Sequence, residues 1–152
     1  MNTIRPKRNR KFKQGIFKPA YPQKYVGTFP ILWRSSYELK FMRWCDHNPA
    51  ILTWGSESVI VPYQNPLTQR VSRYFVDFNI TLKNKNGETK KYLIEIKPSV
   101  QTVPPIPTKN TRSLLRRQAE YVKNRAKWEA ATQFATKKGS EFVVLTEKHL
   151  GL

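Results

Sequence analysis

Residues 73–99 read RYFVDFNITLKNKNGETKKYLIEIKPS. Two apolar runs flank a polar stretch ending in Asn86-Gly87, which predicts strands at about 73–83 and 90–97 joined as a hairpin. Register decides which side chains share a face, because a one-residue slip turns every side chain over. A two-residue Asn86-Gly87 turn would pair Lys85 with Glu88, setting Asp77 against Ile96 and Phe78 against Glu95. Polar and apolar residues would then be mixed across the pair. A three-residue loop, Lys85-Asn86-Gly87 with the glycine left-handed, pairs Asn84 with Glu88 instead. Val76 then faces Ile96, Phe78 faces Ile94 and Ile80 faces Tyr92, so one face is consistently apolar. That register is the expected one. It places Asp77 opposite Glu95, and Phe75 opposite Lys97.

Facing carboxylates, with Cβ atoms about 5 Å apart, repel. A shared divalent cation is a natural remedy, since Mg²⁺ takes one or two protein carboxylates and keeps several waters. The simpler alternative is an ion-pair cluster in which Lys97 neutralises both acids. The chain has 28 Lys and Arg against only 10 Asp and Glu, a net charge of +18, so two acids inside strands are conspicuous. A polycation of this size suits a polyanionic partner, because neutralising phosphates releases condensed counterions. A phosphate-rich membrane surface fits less well, since no basic helix with a clean apolar face stands out.

At 152 residues, 39% apolar and 12% aromatic, the chain suits one folded domain. No run of ~18 apolar residues spans a bilayer. A charged start without an apolar segment argues against a signal peptide. The single Cys45 excludes an internal disulfide and fits a reducing compartment; it reads as a core residue rather than a nucleophile. His47 and His149 stand too far apart for a zinc cluster, and chemistry built on imidazole is not expected.

Residues 1–25 carry eight Lys or Arg and no acid. They read either as a solvated tail or as an arm lying on nucleic acid, with Phe12, Phe17, Tyr21 and Tyr25 available to dock it to the body. WRSSYELKFMRWCDHNP predicts a helix capped by Ser35 or Ser36 and stopped by Asn48-Pro49. Residues 50–63 read as a strand with a turn or bulge near Gly55-Ser56, and SVQTVPPIPT (99–108) as irregular. Residues 111–137 read as one long helix with Leu114, Leu115, Ala119, Val122, Ala126, Ala130 and Phe134 on its apolar stripe. Gly139 ends it, and EFVVLTE (141–147) returns as a strand through a helical crossover. The expected fold class is α/β, a mixed sheet flanked by helices in the order α-β-β-β-α-β.

Asp77 on one strand and Glu95-Ile96-Lys97 on the next match the pattern of the PD-(D/E)xK metal-dependent nuclease superfamily, with Val76-Asp77 standing where that motif has Pro-Asp. RSSYELKFMRWCDHNPAILTWGSESVIVPY, RYFVDF, KKYLIEIKP, AKWEAA and FVVLTE together resemble the TnsA-like endonucleases. Within them the chain resembles the head completion nucleases of T-even-type tailed phages. The resemblance covers roughly residues 30 to 150. It implies a restriction-endonuclease-like core and a Mg²⁺-dependent cut in duplex DNA, with Mn²⁺ as a substitute metal. Asp77 and Glu95 would be metal ligands and the Ile96 carbonyl a third. Lys97 would orient water or stabilise charge growing on the scissile phosphate.

Glu38 would occupy the family's helical acid position. By spacing alone, Ser35-x-x-Glu38 is a capping box, which gives Glu38 a purely local reason to be there. The division expected is a basic arm (1–28) and a nuclease domain (29–152). DNA contacts are expected from Lys7, Arg8, Arg10, Lys11 and Lys13 in the arm and from Arg112, Arg116, Arg117 and Lys127 on the long helix, with Gln118 a further candidate. The resemblance also implies action on packaged DNA, portal or other head proteins as partners, and a place in the host cytoplasm and the virion head. Cutting both strands calls for two active sites, hence the expectation of a homodimer. The competing class is a non-catalytic DNA-binding structural head protein on the same fold. An RNA-binding module is disfavoured by the lack of an aromatic stripe on a strand.

Overall fold

The computed structural model describes residues 14–151. Its elements in chain order are β1 (Gly15–Phe17), β2 (Ile31–Trp33), α1 (Ser36–His47), β3 (Ile51–Ser56), β4 (Ile60–Gln64), β5 (Val71–Phe75), β6 (Phe78–Lys83), β7 (Thr89–Ile96), α2 (Thr111–Lys137) and β8 (Glu141–Leu145). The β6–β7 hairpin adopts the three-residue-loop register, with Phe78 facing Ile94 and Ile80 facing Tyr92. The Asn84 N–H donates to the Glu88 carbonyl at 2.9 Å, and Gly87 closes the loop at φ 78°. The Asn84 side chain supports the turn by accepting from the N–H groups of Asn86 and Glu88.

The expected strands at 50–63 and 73–83 each divide in two. β3 pairs with β6 and β4 with β5, so together they form one long antiparallel ribbon, bent in the middle. Ser56 faces Phe78 and Ile60 faces Phe75, leaving residues 57–59 opposite only 76–77. This is a bulge, and it bends a strand because the extra residue has no partner. Glu57 adopts φ 52°, and the bend is tied by Glu57 N–H to the Asp77 carbonyl (3.0 Å) and Val76 N–H to the Val59 carbonyl (3.0 Å). Val76 therefore does not face Ile96, and Phe75 lies opposite Ile60 rather than Lys97. Alternation along one continuous strand, which the sequence reading assumed, ends at the bend.

The main sheet has the order β3-β6-β7-β8, with β8 parallel to β7. A helical crossover delivers that parallel strand, as expected. α2 runs from Asn110, whose side chain accepts from Ser113 N–H, to a Schellman ending. There Gly139 (φ 71°) donates to Thr136 and Ser140 to Ala135. Residues 99–108 open with a short 3-10 turn over Ser99–Thr102 before the prolines.

The sheet is covered on both faces. On one, Phe41, Met42 and Cys45 of α1 pack with Trp54, Phe78, Ile80, Ile94 and Ile96. On the other, Trp128, Ala131 and Ala135 of α2 pack with Val61, Tyr63, Tyr74, Val76 and Leu93. The fully buried residues of α2 are Asn124, Trp128, Ala131 and Ala135, and of the stripe read from apolar spacing Ala126, Ala130 and Phe134 pack beside them, partly buried. Leu115 (60% exposed) and Val122 (45%) remain at the surface. The N-terminal part of α2 stands over the proline-rich loop, where Arg116, Arg117 and Tyr121 face Val100, Val103 and Ile106 across a groove. Among the described residues no helix is long and apolar enough to cross a membrane.

The second half of the expected arm belongs to the body. β1 pairs with β2, and Phe17 and Tyr25 stack edge-on against the fully buried Trp54. Asp46 is buried at the end of α1 and accepts the N–H groups of Ala20 (2.8 Å) and Tyr21 (3.0 Å). Lys24 caps the same helix end by donating to the carbonyls of Cys45, Asp46 and Asn48. Asp46→Ala leaves two N–H groups without their charged acceptor, so a loss of about 3 kcal/mol is expected. A lowered urea midpoint at unchanged m-value checks it.

Candidate active site

Asp77 sits at the bend, between β5 and β6. The ladder to β7 is replaced here by a side chain: Asp77 Oδ2 accepts the Ile96 N–H at 2.8 Å. Glu95, the next residue back along β7, is 7% exposed and lies on the α2 side of the sheet. Strand alternation puts it there, because Ile94 and Ile96 fill the α1 side. The expected juxtaposition of the two acids holds, though the bulge aims Asp77 rather than a regular cross-strand pair.

Both carboxyls are pushed above the usual range. For Asp77 burial is the largest cause, followed by the charge of Glu95; the Ile96 N–H acts in the opposite sense. Burial also raises Glu95, against the hydrogen bond from Tyr74 and the charges of Lys97 and Lys127. Lys97 Nζ stands 3.8 Å from Glu95 Oε1 and keeps about a quarter of its side chain in solvent.

Glu38 approaches from α1. Its N–H caps onto Ser35 Oγ (3.1 Å), and its Oε2 accepts from Arg34 N–H (3.1 Å), one residue outside the capping-box partner. Burial raises its pKa, and the charges of Glu57 and Glu95 act in the same direction. The local capping role and proximity to the acid pair therefore coexist. Arg34 pairs with Glu57, the left-handed residue at the bend.

Lys127 joins this group from α2. Its ammonium lies over the rings of Tyr74 (5.4 Å) and Tyr63 (5.8 Å) and feels the charge of Glu95. Gln118, Arg112, Arg116 and Arg117 are exposed farther along the helix. Ten residues separate Arg117 from Lys127, about 15 Å along the helix axis. Lys7, Arg8, Arg10, Lys11 and Lys13 lie outside the described residues.

Sequence reading missed Tyr74, whose hydroxyl donates to Glu95 Oε2. A tyrosine in an apolar strand signals a buried hydroxyl that needs a partner. Which partner depends on how the ribbon bends.

The donor set suits a hard divalent cation: two close carboxylates that repel each other, with a backbone and a third acid nearby. Among the described residues no three Asp, Glu, His or Cys side chains are gathered tightly enough to hold a metal on their own. An ion here would keep water or take oxygens from substrate, which Mg²⁺ readily does.

A family model described as TnsA-like endonuclease N terminal matches residues 48–147. That stretch contains Asp77, Glu95, Lys97 and Lys127; Glu38 precedes it. The head completion nuclease of Enterobacteria phage T4 is 37% identical over 142 residues, covering 90% of this chain and 92% of the phage T4 protein. No solved structure matches.

The raised carboxyls carry a stability signature. Below pH ~4 both folded and unfolded chains hold these protons, and the pair carries no charge penalty. As pH rises through the raised values, the folded chain must release protons that the unfolded chain has already lost, so stability falls. Asp77→Asn keeps an acceptor for Ile96 N–H but removes the charge. In chelator at pH 8 it should melt ~2–4 °C above the wild type, with the difference vanishing near pH 4. Thermal melts at the two pH values check the sign.

Proposed function

The chain belongs to the TnsA-like endonucleases, with their restriction-endonuclease-like α/β core, and from that premise we propose that it is a Mg²⁺-dependent endonuclease acting on duplex DNA. The observation that carries this reading is the Asp77–Glu95 pair, Glu95 buried and Asp77 half-buried, with Lys97 at its edge, on a protein of net charge +18. A pure DNA-binding protein gains nothing from two repelling acids facing the phosphate it must hold. Asp77 and Glu95 would hold the metal, joined by the Ile96 carbonyl and, directly or through water, by Glu38. When bound, the ion would polarise the scissile phosphate and lower the pKa of water, and Mn²⁺ would substitute.

The chain's own groups do the rest. The Ile96 N–H fixes Asp77, and Tyr74 fixes Glu95. Lys97, held toward the site by Glu95 Oε1, orients water and stabilises negative charge developing on the phosphate. Lys127 presents a second half-buried cation beside it. Arg112, Arg116 and Arg117, with the basic residues 1–13, extend the track along the DNA backbone. The similarity to a head completion nuclease supports action on packaged phage DNA, with head proteins as partners and the infected cell and virion head as its place. Two copies would cut the two strands.

Cleavage of linear and supercoiled duplex DNA with Mg²⁺ or Mn²⁺ tests this. Asp77→Ala, Glu95→Ala and Lys97→Ala should each lower the rate by at least ~10²-fold while DNA binding survives. Binding without cleavage by the wild type would favour a non-catalytic head protein instead. Removing residues 1–13 should weaken binding to all sequences alike. The dependence of log K on log salt should flatten by ~1 for each phosphate that the shortened chain leaves unneutralised.

A further inference from the structure

Glu95 is engaged on both of its oxygens. Oε2 accepts the Tyr74 hydroxyl, and Oε1 lies toward Lys97 at 3.8 Å. Tyr74 reaches this position from β5, in the small sheet, across the bend to β7 in the main one. It is 4% exposed, and its ring is fixed among Val61, Tyr63 and Val76 with Lys127 over its face. An ordinary phenol keeps its proton at neutral pH and so donates to the carboxylate.

A plain packing role explains the ring but not the oxygen. Phenylalanine would fill the same space without burying a hydroxyl, and a buried hydroxyl opposes folding unless it is hydrogen-bonded. Here the hydroxyl meets the one glutamate that faces Asp77.

The consequence concerns how Glu95 can meet a cation. With Oε2 engaged by the Tyr74 hydroxyl, the carboxylate offers a single oxygen. Mg²⁺ demands near-ideal octahedral geometry from well-separated oxygens, whereas Ca²⁺ accepts six to eight ligands and readily takes a carboxylate through both oxygens. Resting on the metal-dependent reading above, we infer that Tyr74 is a positioning residue: it holds Glu95 as a one-oxygen ligand and thereby sets the site's preference for Mg²⁺ over Ca²⁺.

Tyr74→Phe keeps the ring and its cation contact and removes only the O–H. Mg²⁺ and Ca²⁺ would be titrated separately into the full, DNA-free chain, followed by calorimetry and by the rise in melting temperature. Loss of an outer hydrogen-bond partner commonly weakens metal binding 10–100-fold. Mg²⁺ affinity should therefore fall by ~10-fold, while Ca²⁺ affinity holds or rises because the second oxygen is released. The Mg²⁺/Ca²⁺ affinity ratio then drops by at least ~10-fold. Tyr63→Phe, which removes the other hydroxyl beneath Lys127, should leave the ratio where it was.

An unchanged ratio in Tyr74→Phe overturns the inference, whether both affinities stay or both fall together with the metal-free melting temperature. A wild type that binds neither cation overturns the metal-dependent reading itself, and the role of Tyr74 with it. A wild type that responds to Mg²⁺ while Tyr74→Phe responds identically defeats only the positioning role.

Discussion

Two neighbouring carboxylates that repel each other are the constraint around which this domain is arranged. Asp77, half-buried at the bend, and Glu95, buried on the α2 side of the main sheet, lie within reach of each other's charge. Each is held by a donor that a regular sheet would have used differently. The Ile96 N–H, normally part of a ladder, is given to Asp77, and the Tyr74 hydroxyl crosses between sheets to reach Glu95. Such an arrangement works against stability in the metal-free protein. The divalent cation of the proposed function would offset that repulsion.

The bend in the ribbon makes the geometry. Three residues, 57–59, oppose two, 76–77, and the mismatch releases Asp77 from strict alternation. It also sends β4 and β5 out of the main sheet, which carries Tyr63 and Tyr74 under α2 and beneath Lys127. Glu57, strained at positive φ, sits at the same bend and pairs with Arg34, which in turn donates to Glu38. A single bulge therefore links the α1 side of the site to the α2 side. Bulges beside active sites commonly re-aim a side chain in this way.

Charge is distributed with a purpose that composition alone does not disclose. Glu38, Glu57, Asp77 and Glu95, four of the chain's ten acidic residues, interact around this one region. Basic residues surround them, and the outer half of α2 carries Arg112, Arg116 and Arg117 into solvent. A polyanion drawn to the positive surface meets a local acid cluster suited to a divalent ion. The basic surface acts at long range and depends on salt, while the acids act on one another at short range, where partial burial weakens screening.

Much of this was determined by sequence, for local reasons. The loop at Lys85-Asn86-Gly87, the hairpin register, the extent of α2 and the parallel return of β8 follow from turn chemistry, period-two alternation and helix capping. Each depends on residues close in the chain, so Asp77, Glu95 and Lys97 could be brought together on paper. The break in 50–63 was legible beside Gly55-Ser56, but the matching break of 73–83 at Val76-Asp77 was not, because it falls inside an apolar run whose alternation reads as continuous. The stripe of α2 was legible in part: Ala126, Ala130 and Phe134 pack on the core, while Leu115 and Val122 stay exposed because only the later half of the helix lies on the sheet. Tyr74 and Lys127 came to Glu95 through contacts spanning 21 and 32 positions of chain, which no local pattern encodes. Sequence thus determined which charged groups the hairpin carries, and tertiary packing decided which neighbours hold them, since burial and the direction of a side chain are set by whatever the rest of the chain lays on top.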